Sequence, residues 1–361
     1  MRQLLPSLMV ALAMLAAVQS SAAGPPVLAE PGVVADDYVV GSWELYRHRF
    51  LTKDGRVVDD DSGSVSHSEG QGYGMLIAAT VGDRDSFDRM LAWTERELFI
   101  RADRLAAWRW DPAASPHVLD KNNATDGDLL IAWALQRASK RWDSEEYRQK
   151  SVAILDALAD TAIVDSPYGK VLLPGAEGFR EGEQPDGPVV NLSYWVFPAL
   201  QELEGLSQKF PAEELVRNGM SLLEMLDGSD GMPTDWTSLA GAPRPARKFP
   251  AQFGYNAIRV PLYLAWFRGN TERLLETYRY SWAGNANVPA VFDIAAGAQL
   301  HSLSDQGYLT ISDLVACKLG SHALADQNRV FAPTTYYPST LYILSLIAFA
   351  ERYPKCVVSE S

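Results

Sequence analysis

Two carboxylates of this chain stand among glycine and aromatic residues, where acid–base chemistry on an extended ligand would need them. Glu69 lies in the segment SEGQGYGMLIA, and Asp126 lies in the segment ATDGDLLIAWAL. Cleavage of an acetal needs a proton donor for the leaving oxygen, and an inverting reaction needs a second carboxylate ~6.5–9.5 Å away that activates water. Either residue could instead serve the first turn of a helix, by its charge or as a cap. The residues alone leave both interpretations open.

Glycine residues follow Glu69 at every second position. Gly70, Gly72 and Gly74 carry no side chain, so they would let a sugar approach the backbone closely. We therefore expect this turn to face a ligand.

Histidine and cysteine usage argues against a metal centre. The five histidines are scattered without ligand spacing such as HExxH, and only two cysteines occur, Cys317 and Cys356. We expect no protein-bound metal and no cofactor. The two cysteines could join in a disulfide if the protein is exported, or they could be two buried free thiols, and the sequence does not decide between these alternatives.

The segments around Glu69 and Asp126 together resemble the two signatures of glycoside hydrolase family 8, in the order that the family has them. The second segment departs from the family at Gln136, where an aliphatic residue or Gly is usual. Weaker likeness at NLSYW, PTDW and GYNAIR extends the resemblance over nearly the whole chain. Within the family, the chain is most similar to the exported cellulases that accompany bacterial cellulose synthesis.

The resemblance implies a fold and part of a mechanism. It implies an all-α (α/α)6 barrel, inversion at the anomeric carbon, and Glu69 as the general acid. It also implies that Asp126 acts in the central subsite, where it grips hydroxyls of a distorted sugar ring. Asp128, two residues further on, points to another side of the same helix and is interpreted as structural or solvated.

The catalytic base is where this chain departs from the family pattern. Many members carry Asp at the position of Asn256, and that Asp activates the water. An amide can orient a water but cannot accept its proton at neutral pH. We predict Asp235 in PTDW as the base, with a structural hydrogen bond as its alternative role. Other candidates lie in a second long loop: Glu177, Glu181, Glu183 and Asp186.

Aromatic side chains in the predicted loops could stack on sugar faces. Tyr194 and Trp236 have the best claim, because they lie inside segments that resemble the family's, although any single aromatic residue could equally fill the core. Arg259 lies one helical turn after Tyr255 and could hold a cleft carboxylate through a charge-assisted pair. The predicted substrate-binding set is Tyr73, Trp110, Tyr194, Trp236, Tyr255, Asn256 and Arg259.

Helices have to position these residues. Apolar residues recur at helical spacing in eleven stretches, namely residues 37–50, 69–81, 86–98, 125–142, 145–160, 193–209, 212–226, 256–267, 272–282, 304–317 and 335–352. One short strand is expected at residues 169–173. About a dozen helices separated by long loops predict paired helices in two concentric rings with a cleft formed by the loops, since no fixed repeat supports a solenoid.

The N-terminus and the net charge indicate where the protein works. Residues 1–23 have the one positive charge, short apolar stretch and small residues of a secretory signal peptide, with a membrane anchor as the alternative. Residues 24–361 would then form a single barrel domain that is secreted or periplasmic and leaves the membrane after cleavage. The net charge of −13 argues against nucleic acid as a partner and fits a neutral substrate.

The resemblance to family 8 implies endo-acting hydrolysis of β-1,4-glucosidic bonds in cellulose or a related β-glucan, as an accessory to cellulose biosynthesis. The cellulose synthesis machinery is then a candidate partner. Hydrolysis of xylan or chitosan is an alternative, because different relatives with this fold act on those substrates. A second alternative is a glucan-binding accessory protein with weak or no catalysis, which Asn256 supports. A polysaccharide lyase is disfavoured by the acidic net charge, because lyases generally need basic groups beside an acidic sugar.

Overall fold

Eleven α-helices make up about half of the structure, which is a computed structural model that describes residues 36–228, 231–320 and 324–357. The predicted signal peptide lies outside the described residues. The helices are α1 Asp36–Phe50, α2 Ser68–Val81, α3 Arg84–Glu97, α4 Thr125–Trp142, α5 Glu145–Thr161, α6 Phe197–Glu202, α7 Ala212–Asp227, α8 Arg259–Trp266, α9 Glu272–Ala283, α10 Gln306–Lys318 and α11 Tyr336–Arg352. No helix in the described part of the chain is long and apolar enough to cross a membrane.

Six of these helices close into an inner ring. Contacts run from α2 to α4, α6, α8, α10 and α11 in turn, and α11 contacts α2 to complete the circle. The other five, α1, α3, α5, α7 and α9, pack outside the ring against their sequence neighbours. Helices α2, α4, α8 and α11 are buried along nearly their whole length, as expected for helices surrounded by others. The predicted double ring of helices is confirmed.

Short strands occupy the loops between helices. They are β1 Ser66–His67, β2 Arg109–Trp110, β3 Ile163–Ser166, β4 Gly169–Leu172, β5 Val189–Val190, β6 Thr237–Ser238, β7 Arg244–Pro245, β8 Gln252–Phe253, β9 Ala290–Asp293 and β10 Ala298–Ser302. All pairings between them are antiparallel. The predicted strand at residues 169–173 is β4, whereas the hairpin of β9 and β10 was not predicted, because β10 is exposed on both faces and too short for a sustained apolar alternation.

Two inner helices are shorter than the sequence predicts. The stretch 193–209 contains only a 3₁₀ turn at Leu192–Tyr194 and the six-residue α6, which begins after a break at Trp195 and carries Pro198 in its first turn. The stretch 256–267 becomes helical only at Arg259, because the preceding backbone N–H groups of Gly254 and Ala257 bond to a side chain from another loop.

The two cysteines form a disulfide. Cys317 at the end of α10 is bonded to Cys356, 39 residues further on, in the C-terminal 3₁₀ turn. The bond therefore ties the end of the described chain to the inner ring.

Candidate active site

A cavity of about 530 Å³ opens where several inner helices begin. The first turns of α2, α4 and α11 contribute Glu69, Asp126 and Tyr336 to its lining, and Asp305 precedes α10. Helix N-termini carry a partial positive charge, so this end of the ring suits anionic side chains. The structure thus brings the two predicted carboxylates together in one cavity.

Arg259 joins the two carboxylates. Its Nη1 donates to Glu69 Oε2 at 2.7 Å and to Asp126 Oδ2 at 2.9 Å. Its Nη2 donates to Ser193 Oγ and to Asn256 Oδ1, both at 3.0 Å. The Arg259 side chain is only 1% exposed, so these charge-assisted bonds are shielded from water. The guanidinium therefore fixes four groups that come from four different segments of the chain.

Asp126 and Glu69 are electrostatically coupled. Burial, and after it the negative charge of Glu69, raises the pKa of Asp126 to about 7, although Arg259 opposes the shift. Near neutral pH the pair therefore holds a proton that could be given to a leaving group. Because the two oxygens lie 2.7 and 2.9 Å from the same nitrogen, they are closer than the ~6.5–9.5 Å that separates acid and base in an inverting site. The base must lie elsewhere.

The segment that carries Glu69 is held on both sides. Strand β1 pairs with β2, and Ser68 N donates to Trp108 O at 3.0 Å, which fixes the chain just before Glu69.

The glycines that follow Glu69 do not give a sugar access to the backbone as predicted. A Cβ at Gly72 would lie 2.6 Å from Leu130 Cβ, and one at Gly74 would lie 2.7 Å from Met90 Sδ. These glycines allow close helix packing, which the sequence spacing could not distinguish from access for a ligand.

Asp235 lies beneath the turn that carries Asn256 and is not part of the cavity lining. Its Oδ1 accepts hydrogen bonds from Gly254 N at 3.0 Å and Ala257 N at 2.7 Å. Burial raises the pKa of Asp235 above its ordinary value. Asn256 does line the cavity, and because its Oδ1 accepts from Arg259, its NH₂ group is the part left to meet a water.

The predicted aromatic residues divide between cavity and interior. Tyr194 and Tyr255 line the cavity, and Tyr255 is 51% exposed at its rim. Trp236 stacks instead against Phe179 and Phe249, at centroid distances of 5.5 and 4.7 Å. It lies outside the cavity lining, so the structure does not place it as a sugar platform there.

Two other predicted substrate-binding residues lie behind the cavity surface. Tyr73 is fully buried, and its hydroxyl bonds to Tyr263 Oη at 2.7 Å. Trp110 packs against Trp93 and His117. The direction in which a side chain points from α2 or from the loop after α3 depends on tertiary packing, which sequence spacing does not give.

Several lining residues are not in the predicted substrate-binding set. Trp108 and His67 form one wall of the cavity, where their rings stack nearly parallel with a centroid distance of 6.3 Å. Burial lowers the pKa of His67, which suits a neutral imidazole beside a sugar. His67 directly precedes the Glu69 segment, and that adjacency was the available signal. Further lining groups belong to no motif: Asp59, Asp61 and Asp305 come from loops, and Tyr308, Tyr336 and Tyr337 come from the first turns of α10 and α11.

No metal-binding cluster accompanies the site in the part of the chain that the structure describes. No group of three or more His, Cys, Asp or Glu side chains is placed there to hold an ion. The arrangement can instead hold and transfer protons: two coupled carboxylates, a buried guanidinium and neighbouring hydroxyl groups.

Comparisons with known proteins agree with this geometry. The family model described as "Glycosyl hydrolases family 8" matches residues 5–351. A "Probable endoglucanase" from Novacetimonas hansenii is 36% identical over 345 residues, which cover 93% of this chain and 98% of the relative. An "Endoglucanase" from Cellulomonas uda is 39% identical over 228 residues, 62% of this chain and 63% of the relative.

Solved structures show the same fold. The endo-beta-1,4-glucanase CMCax from Acetobacter xylinum has a TM-score of 0.79 and 37% identity, and the match covers 88% of this chain and 99% of that one. The family 8 endoglucanase Cel10 from Klebsiella pneumoniae has a TM-score of 0.77 and 34% identity, with coverage of 85% and 98%. From the nearly complete family match and these relatives, the chain is a glycoside hydrolase that belongs to glycosyl hydrolase family 8.

Proposed function

We propose that this protein is an endo-acting β-1,4-glucanase that hydrolyses cellulose or a related β-glucan with inversion. The observation that carries the proposal is the pair of Glu69 and Asp126, held by buried Arg259 on the surface of an open cavity. The relatives with long matches are endoglucanases by name. Exposed Tyr255 and the stacked pair of Trp108 and His67 supply aromatic surface for sugar rings.

In the proposed mechanism Glu69 gives its proton to the leaving glycosidic oxygen. Asp126, held by Arg259, grips hydroxyls of the sugar on the other side of the scissile bond, and water attacks from the opposite face. General acid catalysis of this kind contributes ~10²–10⁴-fold to the rate. Arg259, which remains a cation, also stabilises the negative charge that is left on Glu69 after the transfer.

We retain Asp235 as the proposed base, acting through a bridging water. Its raised pKa suits a base, and its carboxylate supports the turn of Asn256, which occupies the position of the usual base. The test compares Asp235→Asn with the same change at Asp59, Asp61 and Asp305, three carboxylates that do line the cavity. The true base is the one whose loss of kcat is restored by azide while the melting temperature stays constant. If Asp235→Asn lowers the melting temperature and azide restores nothing, Asp235 only supports the turn.

The activity itself is tested by the reducing ends that the enzyme releases from carboxymethyl cellulose, together with the anomeric form of the first product by NMR. Rapid loss of viscosity and α-anomeric products are expected. Binding of cello-oligosaccharides with no release at any pH would favour a glucan-binding accessory protein instead. Faster release from xylan or chitosan than from the glucan would reassign the substrate.

We also propose that residues 1–23 are removed on export and that residues 24–361 form the mature, secreted or periplasmic enzyme. The disulfide between Cys317 and Cys356 supports this, because such bonds persist in oxidising compartments. N-terminal sequencing of the protein from the periplasm and the medium checks the cleavage site. A role beside the cellulose synthesis machinery is tested by co-purification and by the cellulose yield of a deletion strain.

A further inference from the structure

The hydroxyl of Tyr336 is a buried donor without an acceptor among the described residues. Tyr336 is 2% exposed, and it contributes to the lining of the cavity. Burial, together with the charges of Glu69 and Asp59, raises its pKa well above the ordinary value, so the hydroxyl keeps its proton. Nearly all buried polar groups in proteins have a partner, and an orphan at an active site calls for a functional explanation.

The position of this hydroxyl is next to the turn that carries the acid. A Cβ at Gly70 would lie 2.9 Å from Tyr336 Oη, and Gly70 directly follows Glu69. Other buried tyrosines nearby are satisfied: Tyr46 Oη bonds to Thr340 Oγ1 at 2.9 Å, and Tyr73 bonds to Tyr263. Among these tyrosines only Tyr336 lacks a partner, and the one other unpartnered buried hydroxyl among the described lining residues is that of Ser68, directly before Glu69.

Glu69 in the structure is engaged by Arg259. Its Oε2 accepts from Arg259 Nη1 at 2.7 Å, so this oxygen faces a hydrogen-bond donor and does not present a proton to a substrate. A general acid must hold its proton when the glycosidic oxygen arrives. Glu69 has room to turn, because its side chain is 21% exposed to the cavity, whereas Arg259 is 1% exposed and held by Ser193 and Asn256.

We propose that Tyr336 is a positioning residue that receives Glu69 when Glu69 turns away from Arg259 in its protonated form. Tyr336 Oη–H donates to the unprotonated oxygen of the Glu69 carboxyl and directs the O–H of the other oxygen toward the leaving glycosidic oxygen. The proton passes to that oxygen as the glycosidic bond breaks, and the Glu69 anion returns to Arg259. Tyr336 keeps its own proton throughout. This inference rests on the proposed function, with Glu69 as the acid.

The pH dependence of kcat gives the sharpest test. The proposed hydrogen bond is made only by the protonated form of Glu69, because the anion lies on Arg259, so its loss destabilises the protonated form and moves the basic limb of the profile to lower pH. A substitution at Tyr336 leaves the other charged and titratable groups that interact with Glu69 unchanged. They lie on α1, α2, α4, α8, α11 and the 3₁₀ turn before α6: Tyr46, Tyr73, Asp126, Arg259, Tyr263, Tyr337 and Tyr194.

Tyr336→Phe removes only the hydroxyl. On cello-oligosaccharides, kcat is expected to fall about tenfold with KM little changed, which is the size expected for one hydrogen bond made in the transition state. The basic limb is expected to move down by about half a pH unit, and the melting temperature to stay the same or rise, since an unpaired buried hydroxyl has been removed.

Tyr46→Phe is the matched control, because it removes a buried hydroxyl that already has a partner. It is expected to lower the melting temperature and to leave kcat and its pH profile as in the wild type. A Tyr336→Phe enzyme with wild-type kcat, or with reduced kcat and an unmoved basic limb, overturns the inference. Inactivity of the wild type on every glucan would instead refute the proposed function, so the two failures are distinguishable.

A crystal structure of Glu69→Gln with a bound cello-oligosaccharide provides the second, independent measurement. The inference predicts that the carboxamide oxygen introduced by this substitution accepts from Tyr336 Oη. A carboxamide that remains on Arg259, with Tyr336 bonded to a buried water, contradicts it.

Discussion

At the scale of single residues, Arg259 organises the site more than either carboxylate does. It is buried, and it contacts an acid, a second carboxylate, a serine and the amide of Asn256. Such a charge is retained in an interior only when its donors are satisfied. The substrate-facing chemistry therefore depends on a residue that has little contact with solvent.

Asn256→Asp tests whether the site lacks an efficient base at this position. The new carboxylate would keep one oxygen on Arg259 Nη2 and turn the other toward the cavity, where it can accept a proton from water. We expect kcat on carboxymethyl cellulose to rise about tenfold. A fall in kcat at an unchanged melting temperature would show that the amide itself has a required role.

At the scale of elements, the first turns of α2 and α4 set the distance between the two carboxylates. The glycines of α2 allow this approach, because a side chain at Gly72 would meet Leu130 of α4. Gly284, at the end of α9, has open space around it and provides a comparison.

Gly72→Ala is expected to destabilise the protein by about 1–3 kcal/mol through overpacking, and to lower kcat by moving Glu69 relative to Asp126. Gly284→Ala should change the free energy of unfolding by less than about 0.5 kcal/mol. Denaturant unfolding of both variants measures the difference. Equal stabilities would show that α2 and α4 can separate without cost.

A second element-scale feature is Asp128, which is fully buried in the first turn of α4. It accepts from Ala106 N and Asn123 Nδ2, both at 2.8 Å, and so fixes the loop that leads to Trp108 in the cavity wall. Burial raises the pKa of Asp128 to about 7. The interpretation of Asp128 as structural agrees with these contacts.

The raised pKa of Asp128 determines how the stability of the protein changes with pH. Because the pKa is raised in the folded state, the folded protein binds more protons, and stability falls as pH rises from about 4 to about 7. Asp128→Asn removes this term, so its melting temperature should fall less over this range than that of the wild type. Asp165→Asn, at a side chain 87% exposed, should follow the wild-type curve. Parallel curves for wild type and Asp128→Asn would refute the assignment.

The sequence predicts where helices lie better than it predicts where they start after a loop or which way a side chain points. Helix α4 begins and ends where its apolar spacing indicates, because that pattern reflects burial on the ring. The start of α8 was predicted too early, since the bonds from Gly254 and Ala257 to Asp235 come from a distant loop. Likewise, Trp108 and Trp110 look alike in sequence, and only packing turns Trp108 to the cavity.

At the scale of the whole molecule, the ring of six helices places their first turns around one opening and leaves the chemistry to loops and helix ends. The Glu69 and Asp126 segments could be recognised from sequence because they lie within such first turns. The carboxylates Asp59, Asp61 and Asp305 could not, because they reach the cavity through loops whose course depends on the closed ring.

The disulfide stabilises the molecule as a whole. Closing a loop of 39 residues restricts the unfolded chain and is expected to contribute about 2–4 kcal/mol. Replacing both Cys317 and Cys356 with Ala should lower the melting temperature while leaving kcat at room temperature unchanged, since neither residue lines the cavity. An unchanged melting temperature, with and without reductant, would show that the bond does not form in solution.

The central claim is that Glu69 is the proton donor of a β-1,4-glucanase, and Glu69→Gln tests it most directly. The measurement compares kcat on carboxymethyl cellulose with the affinity for a cello-oligosaccharide by calorimetry. Loss of at least about 10³-fold in kcat with nearly unchanged binding is predicted, because Gln keeps the shape but has no acidic proton. A variant that stays within about tenfold of the wild-type rate would contradict the assignment of the acid.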